Sequence, residues 1–146
     1  MVDISDKPVT RRIAIAEGEI QMQPKTIEAI RAGQVQKGEA LAVARLAAIQ
    51  GAKAASMMIP LCHSIPLDAV EVEIEAAEAL PGYRLRVTAS AEWRTGVEME
   101  ALSGVVAGLL SLYDMCKAMD RGMTLGPIQL REKHGGRSGS WHSESE

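Results

Sequence analysis

The sequence predicts an α+β domain of ferredoxin-like topology, β-α(α)-β-β-α-β, with a four-stranded antiparallel sheet carrying helices on one face. Three observations carry that reading. Val70-Glu71-Val72-Glu73-Ile74-Glu75 alternates with period two. After a Leu80-Pro81-Gly82 turn it returns as Tyr83-Arg84-Leu85-Arg86-Val87, with arginines at alternate positions facing the glutamates. Alanine-rich apolar stretches stand on either side of this hairpin, each long enough for a helix.

Taken in order, residues 12–22 alternate loosely through Ile13, Ile15 and Ile20 and read as the first strand, with Gly18 a candidate bulge. Pro24 stands where a first helical residue would and Gly33 where a helix ends, so 24–32 reads as a short helix. A second helix follows over 38–55. Residues 59–66 contain Pro60 and Pro66 and cannot be regular helix. Beyond the hairpin, a long helix covers 98–119 and stops before Gly122; a last strand covers 123–131. The domain is expected to occupy 1–133, and 134–146 to be a Gly/Ser-rich flexible tail. The outer sheet face then needs polar residues or a partner subunit.

Composition sharpens this. Of 146 residues, 47% are hydrophobic but only 3% aromatic, with no Phe, so the core must be Ala, Val, Leu, Ile and Met. Such small side chains let helices approach closely. A net charge of −3 provides no global field for nucleic acid, and no basic stripe with interleaved aromatics appears. The two cysteines, Cys62 and Cys116, make neither a disulfide scaffold nor a zinc motif. The N-terminus has no apolar signal core, and the most apolar helical stretch, Val105 to Leu112, is short for a bilayer. A cytoplasmic protein without membrane or nucleic-acid partners is the expectation.

Chemistry-bearing residues fall in four places. Asp114 and Lys117 are three apart and share a helix face; in a partly apolar pocket they would form an acid/base pair, and on an open surface merely a helix-end ion pair. Glu98 and Glu100 open the same helix, where acids also favour the helix dipole. His63 sits in the proline-bounded loop; with no second histidine beside it, a metal site is not expected. Basic residues Arg11, Arg12, Lys37, Lys117, Lys133 and Arg137 would suit a triphosphate if several met, and Gly135-Gly136-Arg137-Ser138-Gly139 could wrap phosphate with backbone amides. No dinucleotide or Walker fingerprint is present.

The ordered segments Ile59-Pro60-Leu61-Cys62-His63, Thr95-Gly96-Val97-Glu98-Met99-Glu100-Ala101-Leu102 and Tyr113-Asp114-Met115-Cys116-Lys117-Ala118, with the opening Met1-Val2-Asp3-Ile4-Ser5 and the Gly-rich end, resemble the cyclic pyranopterin monophosphate synthase (MoaC) family over nearly the whole chain. The resemblance implies a lyase of molybdenum-cofactor biosynthesis. Its substrate would be 3′,8-cyclo-7,8-dihydro-GTP, supplied by a radical-SAM enzyme, and its products cyclic pyranopterin monophosphate and pyrophosphate. By motif position, Asp114 and Lys117 match the central catalytic pair, with Lys37 and His63 beside them. Leu61, Cys62, His63, Glu98, Met99 and Glu100 match other active-site positions, and Arg12 and Lys133 the phosphate-binding ones. Relatives often have proline directly after the histidine, where Ser64 stands here. No cofactor is implied with certainty; a divalent ion could accompany the triphosphate, but no dedicated ligand set is visible. A homohexamer, a trimer of dimers, is implied. A non-catalytic oligomer holding nucleotide or pterin for the radical-SAM enzyme is the rival reading.

One inference needs only geometry. Glu98 and Asp114 are sixteen residues apart, about 24 Å on one helix, so a site using both draws on two subunits.

Overall fold

The computed structural model describes residues 1–77, 79 and 81–144. The element order is β1 (Thr10–Gln21), α1 (Pro24–Arg31), α2 (Ala40–Lys53), α3 (Ala55–Met58), β2 (Ala69–Ala76), β3 (Gly82–Trp93), α4 (Glu98–Cys116), β4 (Thr124–His134) and β5 (Trp141–His142). The strands lie antiparallel in the order β2-β3-β1-β4-β5. The ferredoxin-like α+β class is as expected, and its first four strands have the expected topology. The differences are α3 and a fifth strand of two residues, which pairs Trp141 with Lys133 and His142 with Glu132. Leu80 of the expected turn lies outside the described residues, as do Ser145 and Glu146 of the tail.

Period-two alternation decides which face each strand residue takes. Ala14, Ala16 and Ile20 of β1 and Leu85, Val87, Ala89 and Ala91 of β3 are buried under the helices. The opposite face is charged. Arg86 bonds Glu17 at 2.8 Å and Arg84 bonds Glu19 at 2.8 Å, each directly across the β1–β3 pairing. The hairpin partner expected for Arg84, Glu75, is more distant at 3.8 Å. The outer face is therefore satisfied by polar residues, as the alternation required.

β3 runs six residues beyond its expected end. Thr88 to Trp93 has little intrinsic strand preference in its alanines and serine, but Ala89 and Ala91 give the helices a flat surface to pack on. Gly18 is not a bulge. A Cβ there would lie 2.6 Å from Val105 and 2.8 Å from Leu109, both fully buried on α4. The register shifts instead insert extra residues into β4: Arg131 opposite the Ile15/Ala16 step, and Gly126-Pro127 opposite Glu19.

α4 is the central rod. Ten of its residues are buried, among them Val105, Leu109 and Leu112, each contributing about 1.5–3 kcal/mol by burial. By length and composition α4 is also apolar enough to cross a membrane, so the short-stretch reading understated it. Its burial against sheet and α2 is that of a core helix. α2 crosses it at Gly51, Gly104 and Gly108, where side chains would collide. A Cβ on Gly51 would clash with Ala107 and come within 2.8 Å of the Ser103 carbonyl oxygen. Asp120, buried just past α4, anchors α1 by accepting bonds from the Gln23 amide at 2.8 Å and the Thr26 hydroxyl at 2.9 Å.

Gly51→Ala should therefore destabilise the protein by about 1–3 kcal/mol in urea denaturation, although alanine favours helix. Gly122→Ala, where an added Cβ meets nothing within 4 Å, is the control and should be near neutral.

Candidate functional site

The candidate residues gather in two places, at opposite ends of α4. At the C-terminal end, Asp114 lies in the last turn and Lys117 caps the helix. Lys117 reaches one carboxylate oxygen of Asp114 at 3.0 Å. Lys37, from the loop between α1 and α2, donates to the other at 2.8 Å and to the Asp114 main-chain carbonyl at 3.0 Å. Bonds from Lys37, then Lys117, hold the Asp114 carboxyl below its ordinary range. Two ammonium groups around one carboxylate leave a net positive charge, which the helix C-terminus favours. In the single chain the pair stands on open surface, the ion-pair arrangement that the sequence also allowed. Asp114 and Lys117 are 54% and 52% exposed.

At the N-terminal end, two adjoining cavities meet. The larger, about 500 Å³, is bordered by β1, the segment before α4 and the turn after β4. Lys7, Arg12, Arg94, Lys133 and Arg137 face it, against one acid, Glu98. The smaller, about 280 Å³, is lined by Leu61, Cys62, His63, Met99 and Glu100, and shares Thr95, Gly96 and Glu98 with the larger. Eight of the expected residues thus line one continuous hollow: Arg12, Leu61, Cys62, His63, Glu98, Met99, Glu100 and Lys133. The other three, Lys37, Asp114 and Lys117, form the separate cluster.

The hollow contains unused hydrogen-bonding capacity. Thr10 Oγ1, Arg12 Nε and Glu100 Oε2 are buried without partners, a costly condition that a polar ligand would relieve. Arg12 is held by the Arg94 carbonyl at 3.4 Å, and its guanidinium lies so close to Gly136 that a Cβ there would collide with it. Gly136 has φ +82, which glycine adopts without strain. The glycine-rich turn accordingly closes over a guanidinium, with Arg137 and Ser138 beside it. Lys133 bonds Glu98 at 2.6 Å, and with five cations against that one acid the larger cavity keeps a net positive charge for an anionic ligand.

Three contributors escaped the sequence reading: Lys7, Thr10 and Arg94. Arg94 directly precedes the Thr95-Gly96 motif, which was the available signal. Lys7 and Thr10 had none, because only the fold brings the N-terminal segment to this hollow.

Glu100 is buried, and burial pushes its carboxyl above the ordinary range; the charge of Glu98 adds to the shift and a backbone hydrogen bond opposes it. Cys62 approaches Glu100 Oε1 at 4.0 Å, and its thiol is pushed up by burial and then by that carboxylate.

The fold is a sheet-and-helix α+β domain whose cation-lined hollow, with proton-carrying groups beside it, suits an anionic small molecule. The chain matches the model of the MoaC family over residues 1–136 and belongs to that family, which places it in molybdenum cofactor biosynthesis.

A raised carboxyl pKa stabilises the fold below the ordinary glutamate value of about 4.3, and that contribution is lost as pH rises through the raised value. Glu100→Gln should therefore be at least as stable as the parent protein at neutral pH in urea denaturation. Its advantage should disappear as pH falls toward 4.

Proposed function

We propose that the protein is the cyclic pyranopterin monophosphate synthase of its host, a phosphorus–oxygen lyase. Its substrate is 3′,8-cyclo-7,8-dihydro-GTP from a radical-SAM enzyme. The carrying observation is the five-cation hollow beside Glu98 and the buried Glu100, set at the other end of α4 from the Lys37–Asp114–Lys117 cluster. A triphosphate fits the former; the latter suits repeated proton transfer.

In this reading Arg12 and Lys133, with Arg94 and Arg137, bind the phosphates. Leu61, Cys62, His63 and Met99 border the base, and Glu98 and Glu100 accept hydrogen bonds from its nitrogen donors. Lys117 and Lys37 exchange protons during ring opening and reclosure, with Asp114 fixing both. His63 is available as a further acid/base group. In the last stage a ribose-derived hydroxyl attacks the α-phosphorus. Its P–O bond forms, the bond to the bridging oxygen breaks, and pyrophosphate leaves with the cations compensating its charge.

The site closes when the hollow of one subunit meets the cluster of another. Two features support this: the about 24 Å between helix ends, and exposed apolar Val43, Leu46, Val106 and Leu110 on α2 and α4. A cytoplasmic hexamer, a trimer of dimers, is the assembly proposed.

Purified protein should convert the cyclised dihydro-GTP without the radical-SAM enzyme, with pyrophosphate released in step. A folded, ligand-binding oligomer giving no product would overturn the reading in favour of a non-catalytic carrier. Lys117→Ala should lower turnover by about 10²–10⁴-fold; a carrier would keep pathway flux. Mixing inactive Glu98 and Asp114 variants should restore part of the activity. No recovery despite demonstrated subunit exchange counts against a shared site.

A further inference from the structure

On the face of the sheet turned away from the helices, three potential metal ligands converge. Glu132 and His134 are two apart on β4 and so share a face; antiparallel pairing sets His142 of β5 directly opposite Glu132. Among the described residues this is the one group of three His, Cys, Asp or Glu side chains whose ligand atoms all lie within 4.8 Å of one another. Glu132 Oε2 is 3.2 Å from His134 Nε2 and 3.7 Å from His142 Nδ1. A tetrahedral ion with bonds of 2.0–2.1 Å needs ligand atoms about 3.3–3.4 Å apart, so two edges of the site are already near their final length.

The surroundings are those of a ligand set. His134 Nδ1 lies 3.0 Å from Ser140 Oγ, a contact that orients the ring and directs Nε2 to Glu132. Arg86 lies 3.7 Å from the other Glu132 oxygen, leaving Oε2 to the two imidazoles. The imidazole rings meet edge-on with centroids 5.3 Å apart, an arrangement that small rotations turn toward a common point. His142 lies beyond residues 1–136, which match the family model.

We propose that Glu132, His134 and His142 bind one divalent zinc-type ion, with water as fourth ligand, and that the ion clamps β5 to β4. Two imidazoles and a carboxylate are the borderline donors such an ion prefers, and the exposed fourth side admits water. The clamp would act on the hollow from behind. Lys133, between two of the ligands, faces the other way to Glu98, and the turn spanned by the clamp carries Gly136, Arg137 and Ser138 of the larger cavity. Tying down β5 restricts that turn without placing the ion near substrate.

The test uses the full chain, stripped with chelator and titrated with Zn²⁺ alone by calorimetry, with Co²⁺ absorption reporting coordination geometry. One ion per chain should bind, and His142→Ala and Glu132→Gln should each weaken it by more than about tenfold, the least that loss of an orienting partner causes. Zn²⁺ should also slow amide hydrogen exchange across 135–142 in the parent protein and not in His142→Ala. No binding below millimolar Zn²⁺, or unchanged affinity in His142→Ala, would overturn the site. Tight binding with unchanged exchange would overturn the clamp. None of these readouts depends on turnover.

Discussion

The close approach of α4 to α2 and to β1 is the constraint on which the rest depends. Gly51, Gly104 and Gly108 let the helices meet backbone to backbone, and Gly18 lets Val105 and Leu109 sit directly on the sheet. In a chain with no Phe, this closeness replaces bulk: many small side chains touch at full packing density in place of a few large ones. The result is a fixed rod. Its two ends carry all the acids of the candidate site, so the separation of the hollow from the Asp114 cluster is a property of helix geometry and cannot be adjusted by loop motion.

Two styles of buried polar group sit on either side of that rod. Asp120 is buried with its hydrogen bonds filled by Gln23 and Thr26, and serves the fold by starting α1. Glu100 Oε2, Thr10 Oγ1 and Arg12 Nε are buried atoms left unfilled, and they cluster around the hollow. The same desolvation cost falls on both, but only the first set is offset within the chain. An uncompensated cost confined to one cavity is what a binding site retains until its ligand arrives. The Asp114 cluster differs again, since its charges remain in water and its ion pairs contribute little to stability.

Local pattern was legible where one physical requirement governed it. The Val70–Glu75 alternation reads directly as β2 because one face is buried and the other is wet. Pro24 and Gly33 bracket α1 because each has a backbone reason to stand there. Reading failed where distant parts decide. Ala89 and Ala91 look indifferent until α4 packs on them. Lys37 and Asp114, seventy-seven positions apart, meet only in the fold. The sixteen residues between Glu98 and Asp114 already set these acids at opposite ends of one helix, but that His63 and Lys133 gather with Glu98 while Lys37 joins Asp114 is decided only by the fold. Histidines eight residues apart, in a segment read as tail, likewise gave no hint of a shared face.

The single extra residue at Arg131 has the longest reach of any local feature. From Ile128 to Leu130, β4 alternates in step with β1, and Leu130 faces the helices opposite Ala16. Without the bulge, Glu132 and His134 would follow inward and Lys133 would point out. With it, Ile15 pairs with Glu132 and Ala14 with Lys133, so the parity is reversed. Two acceptor-bearing side chains that would have been buried unpaired in an alanine core go to the charged face, beside Arg86. Lys133 crosses to the helix side, where Glu98 meets it. Arg131, displaced by the bulge, still finds Glu17 at 3.4 Å. One inserted residue thus satisfies three charged groups and supplies the hollow with a cation. Because side-chain direction depends on parity, unbroken alternation beyond Leu130 would set Lys133 on the charged face, and the extra residue at Arg131 turns it toward Glu98.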